Sequence, residues 1–472
     1  MQTRKDLYQA HRLMMQRLGM ALLQAEPDVP ESPMRRHSVA TFSGVLLAVL
    51  VLAVFGIWGL LKPGGATSLT EPGQLLVEEE SGATYIYSEA GDTLIPVANY
   101  VSARLLLDSA DVTVRNVSAA SLAEFNRGPL VGIPGAPDSL PVPEKLVKGP
   151  WSACVTEVTD AAGSHTSYVT LVGGRDVGGR EIGGDAMIVE DGRQDWMIWG
   201  DKRMRVTGEG ARGLIGETAR KVPAAWLNAI PQGPDFRSPD VPGRGRKVRG
   251  PEGGAAVVGQ VFTVPAMAGS PARWYVLRDD GLAPISILQA SLLLEDPESK
   301  KKVYGRRPVK PIEIDAATAN TAPVSKTGMA VVGLPTEMPK IMTPDVSAPL
   351  CAVYADSQTG SARARLTIGS RMDIPVPPTS GDQEHFDQVL LPPGGAAVAG
   401  LLPGDGQLSA VHSYALITDQ GRTFAVESAD LLANLGYELS DVTPVPAQIL
   451  HLIPEGPALD PAAARKPLQY GQ

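Results

Sequence analysis

The sequence predicts an α+β protein. A single N-terminal transmembrane helix is followed by an elongated extracytoplasmic region of four small α/β repeats, set around a β-rich central core with pseudo-two-fold symmetry. Three observations lead there. Residues 39–61 (VATFSGVLLAVLVLAVFGIWGLL) contain no charge. The stretches around Cys154 and Cys351 repeat each other at fixed register. Gly (50) and Pro (41) are abundant and aromatics are only 5%, which favours turns and short elements over long helices.

Residues 1–38 read as a basic amphipathic helix and residues 39–61 as the span. At 1.5 Å per residue the run crosses a hydrocarbon core of about 30 Å. Arg35 and Arg36 flank its start and Lys62 its end. Arg4, Lys5, Arg12 and Arg17 also precede it, whereas Glu71, Glu78, Glu79 and Glu80 follow. The positive-inside rule therefore places residues 1–38 in the cytoplasm and 66–472 outside, with the chain in the inner (plasma) membrane. A cleaved signal peptide fits less well, because its apolar core runs to only about 7–15 residues. The basic helix is expected to lie on lipid or against a partner's cytoplasmic domain, with Arg4, Lys5, Arg12 and Arg17 as contacts.

The exported part compares with itself in two ways. Gly163 and Ser164 answer Gly360 and Ser361 when Cys154 is set on Cys351, and residues 169–171 (VTL) answer 366–368 (LTI). Both stretches read as a strand, a glycine turn and a returning strand. Upstream, residues 131–134 (VGIP) answer 332–335 (VGLP). Separately, residues 222–234 (VPAAWLNAIPQGP) match 445–457 (VPAQILHLIPEGP), with weaker copies at 117–129 and 314–323. The apolar spacing fits one face of a short helix, with the glycine expected at C′ and the proline preventing continuation. A strand precedes each copy, at 84–87, 196–199, 274–277 and 414–417. An apolar helical segment follows, clearest at 101–107, 287–294 and 429–435. Residues 251–259 and 392–400 share a glycine-rich lead-in to the third and fourth copies.

The expected order is repeat 1 (74–150), core (151–180), repeat 2 (181–245), repeat 3 (246–330), core (331–385), repeat 4 (386–465) and a tail (466–472). An order that repeats itself implies an approximate two-fold axis. Cys154 and Cys351 would face each other across it, within reach of a disulfide. Outside the cytoplasm such a bond persists.

At these residues the chain resembles the EccB family, core membrane subunits of actinobacterial type VII (ESX) secretion systems. Residues 101–106 (VSARLL), 131–137 (VGIPGAP), 151–154 (WSAC), 349–351 (PLC) and 225–234 carry the likeness, which covers nearly the whole length. Near the N-terminus QTRKDLY (2–8) stands where members show Q-V-S-G-[YW]-R-F. The resemblance implies a structural scaffold that supports protein export and links the inner membrane to the envelope. It implies as partners the EccC motor ATPase, EccD, EccE and the mycosin protease, together with self-association and membrane lipid.

Enzymatic alternatives lack their motifs. ATP hydrolysis is attributed to the family, but a P-loop needs G-x-x-x-x-G-K-[ST], and no Gly-Lys dipeptide occurs. Neither G-x-S-x-G nor H-E-x-x-H is present, and the six histidines show no ligand spacing. No catalytic residue, cofactor or metal is expected. A net charge of −9 argues against nucleic acid. Two basic clusters stand out: Arg244, Arg246, Lys247 and Arg249, and then Lys300, Lys301, Lys302, Arg306 and Arg307. They read as solvated loops, or else as contacts for an acidic partner or an anionic wall polymer, so a wall-binding module remains an alternative.

Overall fold

A computed structural model describes residues 3–24, 33–61, 68–109, 111–159, 163–216, 219–377 and 384–468. Two helices open the chain, Arg4–Gln24 and Pro33–Leu61. The second begins before the apolar run, with proline in its first turn where the missing N–H costs nothing. Arg35 and Arg36 therefore lie on the spanning helix itself. Lys62 falls outside the described residues.

Four units follow, each built alike. Three strands form an antiparallel meander, a helix crosses over, and a fourth strand lies parallel to the first, on its free side. The first strands are Gln74–Glu78, Ala186–Glu190, Val261–Val264 and Ala396–Leu402. The fourth strands are Thr113–Val117, Arg220–Lys221, Ile312–Glu313 and Thr443–Pro446. The crossover helices are Tyr100–Leu107, Glu209–Ile215, Ile287–Glu295 and Ala429–Leu435. A one-turn helix closes each unit, at Ala119–Leu122, Ala224–Asn228, Ala316–Thr321 and Ala447–Leu450.

Local sequence explains three of the crossover helices. Asn99, Ser286 and Ser428 each accept a hydrogen bond from the backbone N–H three residues on, satisfying a donor that the helix leaves open. Ser286 and Gln289 complete a capping box. The helix of the second unit has Gly208 at its N-cap, with no side-chain cap.

The expected role of the conserved-spacing glycine is corrected. Gly128, Gly233 and Gly456 are not C′ residues, since their helices end at Ala123, Ala229 and His451. Instead each glycine N–H donates to the third strand of its unit, at Leu94, Arg203 and Thr423. The approach is close: a Cβ on Gly456 would lie 2.4 Å from the Phe424 ring, and one on Gly233 would lie 3.2 Å from Lys202. Ser325 makes the matching bond to Leu282 in the third unit.

The similarity of residues 251–259 to 392–400 does not mark equivalent structure. Ala255–Val257 pairs with Lys247–Arg249 in a separate two-stranded ribbon, whereas Ala396–Leu402 is itself the first strand of the fourth unit.

Between the units lies a six-stranded sheet. Its order is Gln388–Leu390, His165–Gly173, Trp151–Thr159, Leu350–Tyr354, Arg365–Ile368 and Arg180–Glu181. Two of these strands cross the expected domain limits, because each half lends the strand after its own hairpin to the edge of the other half's hairpin. Ile341–Met342, expected in the core, instead extends the second unit's sheet beside Ala186. The described part of the tail is also docked: Leu468 N–H donates to Leu130 O at 2.8 Å, and Pro467 bridges Val131.

The units meet in a set order. The helix Tyr100–Leu107 of the first packs on the helices Ala429–Leu435 and Pro461–Ala464 of the fourth, and Glu209–Ile215 of the second packs on Ile287–Glu295 of the third. The duplication turns the first unit into the third and the second into the fourth, so these two seams are one contact made twice. The second and fourth units share a core with the central sheet. The spatial order is therefore first, fourth, centre, second, third.

Candidate functional site

The centre is built from strand alternation. On Trp151–Thr159 and Leu350–Tyr354, Cys154 and Cys351 point to one face, and Trp151, Ala153, Ala352 and Tyr354 to the other. The cysteines oppose each other directly, and their Cα atoms are 4.0 Å apart. Each also pairs with a threonine sixteen positions on, Thr170 or Thr367. The pseudo-dyad thus passes through the Cys154–Cys351 disulfide, which closes 197 residues of sequence. Val172, Val177, Val353 and Ile374 bury it completely.

The opposite face joins three parts of the chain. Trp226 Nε1 donates to Ala153 O at 3.2 Å, fixing the second unit's short helix to the sheet. The Tyr354 hydroxyl donates to Ala229 O and accepts from Gln448 Nε2 at 3.2 Å, so one phenol ties the centre to the second and fourth units. Burial raises its pKa above the ordinary tyrosine value. Arg220, buried in the second unit, reaches the carbonyls of Asp345 and Ala348 at 3.1 and 2.8 Å. At the outer seam, Arg104 Nε donates to Asn434 O at 2.8 Å, and Asn434 Nδ2 donates to Asp108 at 2.7 Å. None of Tyr354, Arg220 or Arg104 stood out in the sequence, because their partners lie more than ninety positions away.

A cleft of about 490 Å³ opens where the second unit, the centre and the fourth unit meet. It does not resemble a phosphate cradle. Two of its three cations are engaged: Arg203 donates to Asn228 at 2.7 Å and stacks 5.0 Å from the Trp196 ring, and Arg363 pairs with Asp405 at 2.9 Å; Lys202 is the third. Among the described residues no group of three His, Cys, Asp or Glu side chains is placed to hold a metal ion.

At the N-terminus, Arg4, Lys5, Arg12 and Arg17 fall on the first helix, all exposed. Helical spacing puts Leu7, Met14 and Leu18 on one face, flanked by Arg4 on one side and Arg17 on the other, with Lys5 and Arg12 on the opposite face. Residues 37–59 are long and apolar enough to cross a membrane, and they are exposed throughout. The two basic clusters come together: Gly245 lies against Lys302, and the chain from Lys300 to Tyr304 forms a π-helical turn beside it.

These features define a class, a protein with one candidate membrane-spanning helix among its described residues and a folded part of like units on a covalently closed centre. A family model described as "Type VII secretion system ESX-1, transport TM domain B" matches residues 1–468, and the chain belongs to this EccB family. The ESX-5 secretion system ATPase EccB5 of Mycobacterium tuberculosis (strain ATCC 25618 / H37Rv) is 29% identical, over 96% of this chain and 91% of that protein. The ESX-3 secretion system ATPase EccB3 of Mycolicibacterium smegmatis is 26% identical, over 95% and 87%. Two solved structures share the fold. One is an intact ESX-5 inner membrane complex, with TM-score 0.64, 24% identity, and 100% of this chain and 96% of that chain covered. The other is an EccB3 dimer from the ESX-3 core complex, with TM-score 0.62, 24% identity, and 83% and 99% covered.

Proposed function

We propose that this chain is a structural scaffold of a type VII secretion membrane complex, anchored with its N-terminus in the cytoplasm and its four units outside. The observation that carries the reading is the doubled seam around a disulfide-closed centre. It holds the four units in a set order about the centre. The N-terminal helix, with Arg4 and Arg17 flanking an exposed apolar face and Lys5 and Arg12 opposite it, suits anionic lipid or the cytoplasmic part of another subunit. EccC, EccD, EccE and the mycosin protease are the partners that family membership favours.

The relatives' names include ATPase, but this sequence has no Walker A motif, and the scaffold reading assigns nucleotide turnover to another subunit. Affinity purification of the full-length chain from its host in mild detergent tests the reading. Several membrane proteins should come with it, while the chain purified alone should hydrolyse no ATP above background. Recovery of the chain by itself, or turnover abolished by a point substitution within it, would overturn the proposal. Protease added outside wall-stripped cells should cut the region after residue 66. Protection of that region would reverse the orientation.

A further inference from the structure

Three of the four units close the free edge of their third strand in one way. Two carbonyls on that edge, two residues apart, each accept a backbone N–H from the segment after the short helix. The first donors are Gly128, Gly233 and Gly456. The second lies three positions on: Val131 donates to Pro96 O at 3.0 Å, Phe236 to Arg205 O at 2.8 Å and Leu459 to Ala425 O at 2.9 Å. All three side chains are apolar and buried. The sequence marks the device as GPLV (128–131), GPDF (233–236) and GPAL (456–459).

The third unit makes the first bond and not the second. Ser325 N–H donates to Leu282 O at 2.9 Å, but in SKTG (325–328) Gly328 stands where the apolar residue belongs. Val332, the counterpart of Val131 in the repeated VGIP/VGLP stretch, is 94% exposed. The carbonyl equivalent to Pro96 O is Pro284 O, and it receives no such N–H among the described residues. Alternation along the strand turns it outward, as with Leu282 two residues before, and Pro284 is exposed. Beside it lies a gap of about 250 Å³ lined by Ile285, Gln289, Val331 and Leu334. A second gap of about 370 Å³ adjoins the first and shares Gln289, Val331 and Leu334 with it. Met329 comes nearest to filling the place. It packs half-buried against the core of the unit, and its carbonyl accepts from Gln289 Nε2 at 2.6 Å, yet its own N–H makes no bond to the strand.

We propose that this edge of the third unit is a docking site for an extended segment of another subunit, which supplies in trans what Val131, Phe236 and Leu459 supply in cis. The segment places a side chain the size of Val, Leu or Phe in the gap and donates the N–H of that residue to Pro284 O. Strand addition of this kind takes affinity from main-chain bonds and selectivity from the side-chain pocket. Charge defines the flanks. Residues 241–330 hold thirteen Lys and Arg against eight Asp and Glu, whereas the whole chain is net −9. At the rim Arg237 and Asp240 offset each other, and Lys326 beside the vacancy is exposed. An apolar residue with acidic neighbours is therefore favoured over one with basic neighbours. The inference rests on the scaffold reading for the presence of a partner and names the kind of segment that partner offers.

The test uses the full-length chain in mild detergent and the peptide PEGPALDP, residues 454–461, whose leucine fills the equivalent site of the fourth unit. Fluorescence anisotropy of the labelled peptide should show saturable binding that weakens with salt. Leu459→Ser in the peptide should weaken it about tenfold or more, because the gap loses its apolar occupant. Methylation of that leucine's nitrogen keeps the side chain and removes the donor, and should weaken binding about fivefold. Val331→Glu in the chain, at a partly exposed position, should weaken binding while leaving the melting curve unchanged. Photo-leucine in the peptide should crosslink to residues 282–289 or 329–336. Absence of saturable binding would overturn the proposal, as would binding indifferent to both N-methylation and Val331→Glu. So would crosslinks to residues 423–427, which would mean exchange with the chain's own segment in the fourth unit. In the host, a photocrosslinker at position 331 should join the chain to a segment of a different subunit in which acidic residues flank an apolar one. Crosslinks only to a second copy of this chain, or only to an envelope polymer, would overturn the proposal. Peptide binding is measured on the chain alone, so its failure counts against this inference and leaves the scaffold reading standing. Failure of other membrane proteins to co-purify counts against the scaffold reading.

Discussion

Cys154 lies directly opposite Cys351 on neighbouring antiparallel strands, and each cysteine is the other's counterpart in the duplicated sequence. The bond therefore joins the two half-sequences at the one place where symmetry brings like to like. Closing a loop of this length stabilises by about 4–5 kcal/mol in the chain-entropy account. Cys154→Ser with Cys351→Ser should lower the melting temperature of the central sheet first. Hydrogen exchange should rise in residues 151–173 and 350–368 before it rises in the first and third units. Uniform exchange across the chain would contradict this.

Gly210 sits where two helices cross. A Cβ there would lie 2.8 Å from backbone atoms of Glu295 and Asp296, which cannot move aside as a side chain would. Gly210→Ala should push the second and third units apart and cost about 1–3 kcal/mol, the usual range for overpacking. Limited proteolysis should then cut between the second and third units sooner. Gly213→Ala, on the same helix with open space around it, should be tolerated and serves as the control.

Gly456→Ala should destabilise the fourth unit by a similar amount, because the Phe424 ring fills the space. Gly128→Ala should cost less. Its Cβ would meet Ile95 Cγ1 at 3.3 Å, a side-chain atom able to yield. Melting curves of the two variants should rank in that order.

Tyr354 couples stability to high pH. Its folded pKa is raised by burial, so the unfolded chain gives up the phenolic proton first. The stability it contributes is complete below the unfolded value of about 10 and falls as pH rises above it. Tyr354→Phe should flatten that alkaline fall. At neutral pH it should cost about 1–3 kcal/mol, because Ala229 O loses its buried donor. Denaturant titrations at pH 7 and pH 11 compare the two proteins.

The parts legible in sequence were those written twice or written in one periodicity. The apolar run, the register around Cys154 and Cys351, and the three capped crossover helices all meet that condition. Glu209–Ile215 did not: Gly208 offers no cap, and Gly210 lowers helix propensity for the sake of a contact made elsewhere. The fourth strands are two to five residues long and carry no pattern of their own; parallel pairing to a distant first strand defines them. Arg104 and Asn434 are 330 positions apart, and only the seam makes them neighbours. The basic clusters were visible as composition, but their meeting at Gly245 and Lys302 was not.

The seam between the first and fourth units has a consequence for biosynthesis. Val101 and Leu105 are covered by Leu432, Leu435 and Ala464, which leave the ribosome more than three hundred residues later. At about 5–20 residues per second the first unit waits roughly 15–65 s with that apolar face uncovered. Nascent chains stalled before residue 429 should therefore be captured by holding chaperones through residues 100–107. Release should come only when the helices Ala429–Leu435 and Pro461–Ala464 emerge, which makes that late segment a maturation signal for the first unit.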